Sequence, residues 1–145
     1  MVELMIVVGL VGLASILAMP NFLDMVRRYQ LKEATLEIAD TLTMARMAAM
    51  NRNKTVTVSL AVLGGIVHVS AAEASSGTLV IPDTTTMSQV NQVTGGPVSF
   101  NSLGMRTTGS TGGQQVALST VNNHTYSVLI TASGKVIPCF KASCP

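Results

Sequence analysis

The sequence predicts an α+β chain: a long N-terminal α-helix, its apolar first half projecting, packed on an antiparallel β-sheet head domain. Three observations predict it. Leu4 to Met19 is a nearly unbroken apolar run, residues 24–53 keep a helix-forming composition but become amphipathic, and from Thr55 onward short alternating segments are punctuated by Gly, Pro and Asn. The chain thus divides into an apolar helix over 1–23, its amphipathic continuation over 24–53, and a β-rich head over 54–145.

The apolar run LMIVVGLVGLASILAM has 16 residues, fewer than the ~20 that span a bilayer; Phe22 and Leu23 beyond Pro20 extend it to spanning length. Up to Leu23 its one charged residue is Glu3. A secretory signal would need a basic flank and a small-residue cleavage site, and an acid stands there instead. A plain membrane anchor explains the apolarity but not the acid. The third reading is a helix that lies first in lipid and then in a bundle of identical helices.

Leu31, Ile38, Leu42, Ala45 and Ala49 recur at steps of three, four or seven and mark one buried stripe, with Lys32, Glu33 and Glu37 on other faces. Asn51-Arg52-Asn53 suits a helix C-terminus. A helix from Val2 to Asn51 would be about 75 Å long, far more than a head of this size can cover. Inside it, Gly9, Gly12 and Pro20 weaken the first half, and a kink or unwound stretch is expected between Gly12 and Pro20.

Thr55 to Leu60 alternates with period two, and Gly64-Gly65 separates it from Ile66 to Val69, a hairpin signal. Thr78 to Ile81 reads as a strand stopped by Pro82, and Thr84 to Gly96 as a polar loop. Pro97 to Phe100 reads as a strand, Gly109 to Gly113 as a turn, and Val116 to Thr120 and Thr125 to Thr131 as strands joined through Asn122-Asn123. Ser133-Gly134 then turns the chain into Lys135-Val136-Ile137.

Composition narrows the partners. Charged residues are 11% of the chain and hydrophobic ones 48%, against about 25% charge in a soluble monomer, so part of this surface meets something other than water. A net charge of +2 and 3% aromatics argue against a nucleic-acid surface. No catalytic constellation is present: His68 and His124 stand singly within strand patterns, and the Gly pairs at 95–96 and 112–113 lie between strands rather than between strand and helix. No cofactor is expected. Cys139 and Cys144, close together at the C-terminus, suit a small disulfide loop in an oxidising compartment; metal binding and free thiols are the alternatives. Asn53-Lys54-Thr55 and Asn123-His124-Thr125 match the N-glycosylation pattern.

Val2-Glu3-Leu4-Met5-Ile6-Val7-Val8, followed by Ala18-Met19-Pro20-Asn21-Phe22, resembles the start of type IV pilins and type II secretion pseudopilins. The head resembles the GspH/FimT subgroup through Ala45-Arg46-Met47-Ala48-Ala49 with Asn51-Arg52-Asn53, through Ser99-Phe100-Asn101-Ser102-Leu103-Gly104, and through Thr131-Ala132-Ser133-Gly134-Lys135-Val136. The resemblance implies a precursor in the inner membrane, a leader removed by a prepilin peptidase that methylates the new N-terminus, and extraction by a pilus assembly machinery. It assigns Glu3 to subunit pairing and Pro20 to the family's kink, in a helix that Gly12 also weakens. In the family the acid stands deeper in the chain than here, where only Met1 and Val2 precede Glu3.

The expected function is a structural subunit of a type IV pilus-like extracellular filament on the bacterial cell surface, polymerising with copies of itself through the N-terminal helix. The alternative is a minor pilin or pseudopilin that primes assembly or binds DNA. DNA is not the expected partner: some FimT-like chains use a Gly-Arg-x-Arg motif, and here Gly134-Lys135-Val136-Ile137 has no arginine.

Overall fold

The computed structural model describes residues 2–86, 90–109 and 112–144, with the side chains of 16–21 and 83–86 outside the description. Helix α1 runs from Val2 to Arg52 without a break. The unwound stretch expected between Gly12 and Pro20 is therefore absent from the backbone. A proline deletes one N–H and leaves the turns on either side intact, and here those turns are rich in Leu, Ala and Met. Pro20's own side chain lies outside the described residues.

The helix ends as its sequence dictates. Asn53 adopts a left-handed conformation with φ 51°, which Asn tolerates better than most residues. The amides of Asn53 and Lys54 then donate back to the carbonyls of Met50 and Ala49, at 3.3 and 3.1 Å, satisfying the last orphan acceptors.

Eight strands follow: β1 Val56–Leu63, β2 Ile66–Glu73, β3 Leu79–Thr86, β4 Val90–Thr94, β5 Val98–Phe100, β6 Gln114–Thr120, β7 Thr125–Ile130 and β8 Val136–Cys139. They form two antiparallel four-stranded sheets, ordered β3-β2-β1-β5 and β4-β6-β7-β8. The predicted β1–β2 hairpin is present, with Leu63 opposite Ile66 and both Gly64 and Gly65 at positive φ, as a two-residue turn of this hand requires.

Two expectations fail on the β3–β4 region. Pro82 does not stop its strand, because β3 is the edge of its sheet and the pairing with β2 slips between Val69 and Ala71, opposite the proline. The expected loop over Thr84 to Gly96 also contains β4 as well as the end of β3. Among the polar residues of β4 one side chain, Val90, is fully buried, and that residue carries the strand into the core.

Both sheets and one face of α1 enclose a single core. Leu31, Ile38, Leu42, Ala45 and Ala49, the stripe read from the sequence, are all fully buried. They meet Val56, Val58 and Phe100 of one sheet and Val116, Leu118, Val128 and Ile130 of the other. Buried Thr35 sits in this face at no polar cost, because its hydroxyl donates to the Leu31 carbonyl at 2.7 Å.

Candidate assembly surface

From Val2 to Ser15 every residue of α1 is exposed, including Val2, Leu4, Met5, Ile6, Val7, Val8, Leu10, Val11 and Leu13, each more than half exposed. This is an apolar rod with no intrachain partner on any side. Glu3 lies in its first turn, where a carboxylate is favoured by the free amides of the helix N-terminus. At Gly9 and Gly12 a Cβ would meet nothing within 4 Å, so neither glycine is required by a contact inside the chain. Among the described residues no helix is long and apolar enough to cross a membrane. The spanning length read from the sequence also draws on residues 16–21, whose side chains are not described.

The rod meets the head at Asp24. Its carboxylate accepts from Arg28 at 3.0 Å and lies 2.9 Å from Nε2 of His124 in the β6–β7 turn. The hydrogen bond with His124, helped by the charge of Arg28, holds the Asp24 carboxyl below its usual range. His124 is placed by its neighbour: Asn123 takes φ 60° and closes the turn. The two Asn of the glycosylation-like triplets are thus both residues that set a local left-handed bend.

Further up, Arg46 joins the helix to two loops of the head. Its Nε donates to the Gly104 carbonyl at 2.9 Å and its Nη2 to the Ser133 carbonyl at 3.3 Å. Around it, Asn101 Oδ1 accepts from the amides of Leu103 and Met105, and Thr131 Oγ1 accepts from the amide of Lys135. Gly134, at φ 79°, lies so close that a Cβ there would collide with the Gly104 carbonyl oxygen. The three segments that resemble the GspH/FimT head therefore converge on one structural junction. Within them Arg46, Asn101 and Thr131 bond carbonyls and amides of this chain, which makes the junction a packing node.

At the helix C-terminus Glu73, on the buried face of β2, accepts from Lys54 at 2.8 Å, from Ser76 at 2.8 Å and from Arg52 at 3.3 Å. The hydrogen bonds from Lys54 and Ser76 lead in lowering its pKa to about 2. Composition alone hides this cluster, but strand parity could have found it. Val67, Val69 and Ala71 are buried on the same face, and an acid continuing that face must be paired.

Cys139 and Cys144 form the disulfide, with Cα atoms 5.8 Å apart. The loop it closes is docked on the head by Ser127 Oγ to the Lys141 carbonyl and by Gln115 Nε2 to the Ala142 carbonyl, both at 2.9 Å. Phe140 packs edge-on to Tyr126, and the Lys32 ammonium lies 5.0 Å from the Phe140 ring centre. The tail is thereby held against α1 and β7. Glu3 and Gly12 share the projecting rod, while the disulfide lies on the head; the structure does not bring these residues into one site.

Comparison with known proteins agrees with this geometry. Residues 34–134 match the family described as Type II transport protein GspH. Among solved structures the fold is similar to the type IV minor pilin FimU of Pseudomonas aeruginosa strain PAO1, in two crystal forms. One has a TM-score of 0.54 at 15% identity, covering 79% of this chain and 91% of that one. The other has a TM-score of 0.55 at 15% identity, covering 74% and 91%. No curated protein sequence matches. Pilin and pseudopilin families are structural rather than enzymatic. Its long helix packed on antiparallel sheets shares the fold of that minor pilin, and with residues 34–134, from the second half of α1 into the head, matched by the family model, this chain belongs to the family described as Type II transport protein GspH.

Proposed function

We propose that the chain is a structural subunit of a type IV pilus-like extracellular filament, polymerising with copies of itself through α1. The observation that carries this reading is the bare apolar rod of residues 2–15, exposed on every side. Removing one such Leu, Ile or Val side chain from water contributes about 1.5–3 kcal/mol, so a rod of them does not stay in water alone. Lipid covers it before assembly, and rods of other copies cover it afterwards. Within that bundle Glu3 pairs with the N-terminal amine of a neighbour, since an unpaired carboxylate there costs several kcal/mol. Gly12 and Pro20 tune how closely the rods approach. A prepilin peptidase and an assembly machinery are the transient partners.

Family membership favours a second reading, a minor pilin or pseudopilin that primes a filament made mostly of another subunit. Shearing the cell surface, imaging the material and counting this chain per unit length separates the two. Filaments composed mainly of this chain support the first. The chain at a few copies, or confined to filament ends, replaces it with the second.

A further inference from the structure

Where α1 leaves the head, one side of the helix and one strand enclose an open cleft of about 270 Å³, lined by Met25, Arg28, Tyr29, Lys32 and Tyr126. Residues 25, 28, 29 and 32 follow the three- and four-residue steps of one helical face, and Tyr126 of β7 supplies the opposite wall. Two cations and two aromatic rings share one opening. Arg28 spends its Nε on Asp24, and Lys32 lies over the Phe140 ring; both contacts orient the side chains, and both residues remain exposed. The Asp24 carboxylate is itself engaged by His124, and Glu33, the next acid along α1, lies about 90° round the helix from the cleft.

The level of the cleft follows from the helix rise. Leu23 is the last apolar residue before Asp24, and Arg28 and Lys32 lie about 8 and 14 Å beyond it along α1. With the rod in lipid, the headgroup layer extends about 5–8 Å past the hydrocarbon. Helical side chains lean back toward the N-terminus, as Arg28 does in bonding Asp24 one turn earlier, so both charged ends reach that layer. The head meets the same level through its β6–β7 turn, which His124 ties to Asp24 and in which Val121 is 74% exposed.

We propose that this cleft is a headgroup site for an anionic phospholipid, holding the lipid phosphate on Arg28 and Lys32 between the Tyr29 and Tyr126 rings, with Val121 at the bilayer interface beside it. This rests on the reading above that lipid covers the rod before assembly, and adds that the head as well as the rod is fastened to the membrane. Tyrosine favours the boundary between lipid and water, and Arg and Lys attract anionic headgroups there. Because α1 and β7 each supply a wall, a bound lipid also sets the angle between the head and the bilayer.

Tyr29 and Tyr126 are the only tyrosines of a chain without tryptophan, so tyrosine fluorescence reports on the cleft alone. The full chain is reconstituted into nanodiscs of phosphatidylcholine, and of an equal mixture of phosphatidylcholine and phosphatidylglycerol, each carrying a trace of headgroup-spin-labelled lipid as quencher. Anionic lipid is expected to raise the ratio of docked to free head by about tenfold, read as stronger quenching, and Arg28→Gln with Lys32→Gln to abolish that gain. Arg28→Lys, which keeps the charge, is expected to retain most of it; thermal melting confirms the head in every variant. Equal quenching in the two discs, or a gain that survives the double Gln variant, overturns the proposal and leaves the polymer reading in place. In the phosphatidylcholine discs, a change in tyrosine emission on adding inorganic phosphate, removed by the double Gln variant, would assign the cleft to a soluble anion and also overturn it. A wild-type chain that inserts into neither disc removes the lipid stage of the polymer reading and the proposal with it.

Discussion

Asp24 and His124, one hundred residues apart in the chain, meet at 2.9 Å where the apolar rod leaves the head. Asp24 also holds Arg28 one turn along, so the last charged turn before the bare rod is tied to both helix and head. The contact is partly exposed, which limits its weight in global stability. Its effect is geometric: it fixes where α1 stops being supported. Replacing His124 by Ala is expected to leave the melting transition of the head nearly unchanged and to speed amide hydrogen exchange over residues 24–30 by severalfold. Unaltered exchange there would show that packing alone sets the exit of the rod.

Glu73 gives the head a defined acid response. Its carboxyl titrates near 4.5 when free and about 2 in the folded chain, where Lys54, Ser76 and Arg52 donate to its ionised form. A depressed folded pKa means that the unfolded chain binds the proton first as pH falls. The stabilisation is therefore complete above about 4.5 and is lost as pH falls toward about 2. Glu73→Gln is expected to lower stability at neutral pH and to flatten the curve between those two values. Denaturant unfolding across that range checks it, and an equally steep acid limb in the variant would assign the response to other carboxylates.

Arg46 bonds both the 101–104 turn and the 131–134 turn to the helix. Arg46→Ala leaves the carbonyls of Gly104 and Ser133 without that donor and is expected to cost about 1–3 kcal/mol of head stability. Arg46→Lys recovers only part, because a point charge cannot reproduce two divergent N–H donors. Gly134→Ala, strained by its positive φ and by the Gly104 oxygen, is expected to be as damaging as Arg46→Ala. Guanidinium melts of the three variants, with the order Arg46→Lys above the other two, would support the junction.

These residues also show what was legible before any coordinates. The stripe from Leu31 to Ala49 was plain because each of its members touches the core, so periodicity and burial coincide. The Gly64-Gly65 hairpin and the Asn53 stop were plain because backbone conformation there is decided by residue type. Strand β4 was not, since Val-Asn-Gln-Val-Thr buries one side chain fully and its pairing comes from a sheet assembled across distant segments. The division of the head into two sheets was hidden for the same reason. At the rod, apolarity and the lone acid were visible in the sequence, whereas the Asp24–His124 tie joins residues whose separation no local pattern reports.

The disulfide is expected to act locally. Its loop is short, so closing it contributes only about 2 kcal/mol through the unfolded chain. Hydrogen bonds from Ser127 and Gln115 hold the same segment independently. Cys139→Ser with Cys144→Ser should therefore leave a folded head, weakened by about that amount, with the Phe140 ring released from Tyr126 and Lys32. Chemical denaturation under oxidising and reducing conditions measures it. A head that fails to fold without the bond would mean that the tail is part of the core rather than docked on it.

Glu3 stands twenty-one residues before Asp24, about 32 Å along the helix from the nearest support of the head. Glu3→Ala consequently cannot alter the fold of the head, and its melting transition should match wild type. In the membrane the alanine is easier to bury than the acid, by on the order of 3 kcal/mol, so the precursor should accumulate there rather than be lost. Under the proposed pairing, what the variant lacks is the carboxylate that would meet a neighbour's amine once the rods come together. Incorporation into filaments is expected to fall by tenfold or more, as about 1.4 kcal/mol already accounts for one factor of ten. Glu3→Asp should recover part of it, because charge is kept while reach is shortened. If Glu3→Ala chains entered filaments at the wild-type level, the acid would belong to the lipid headgroup region and the subunits would be aligned by other contacts.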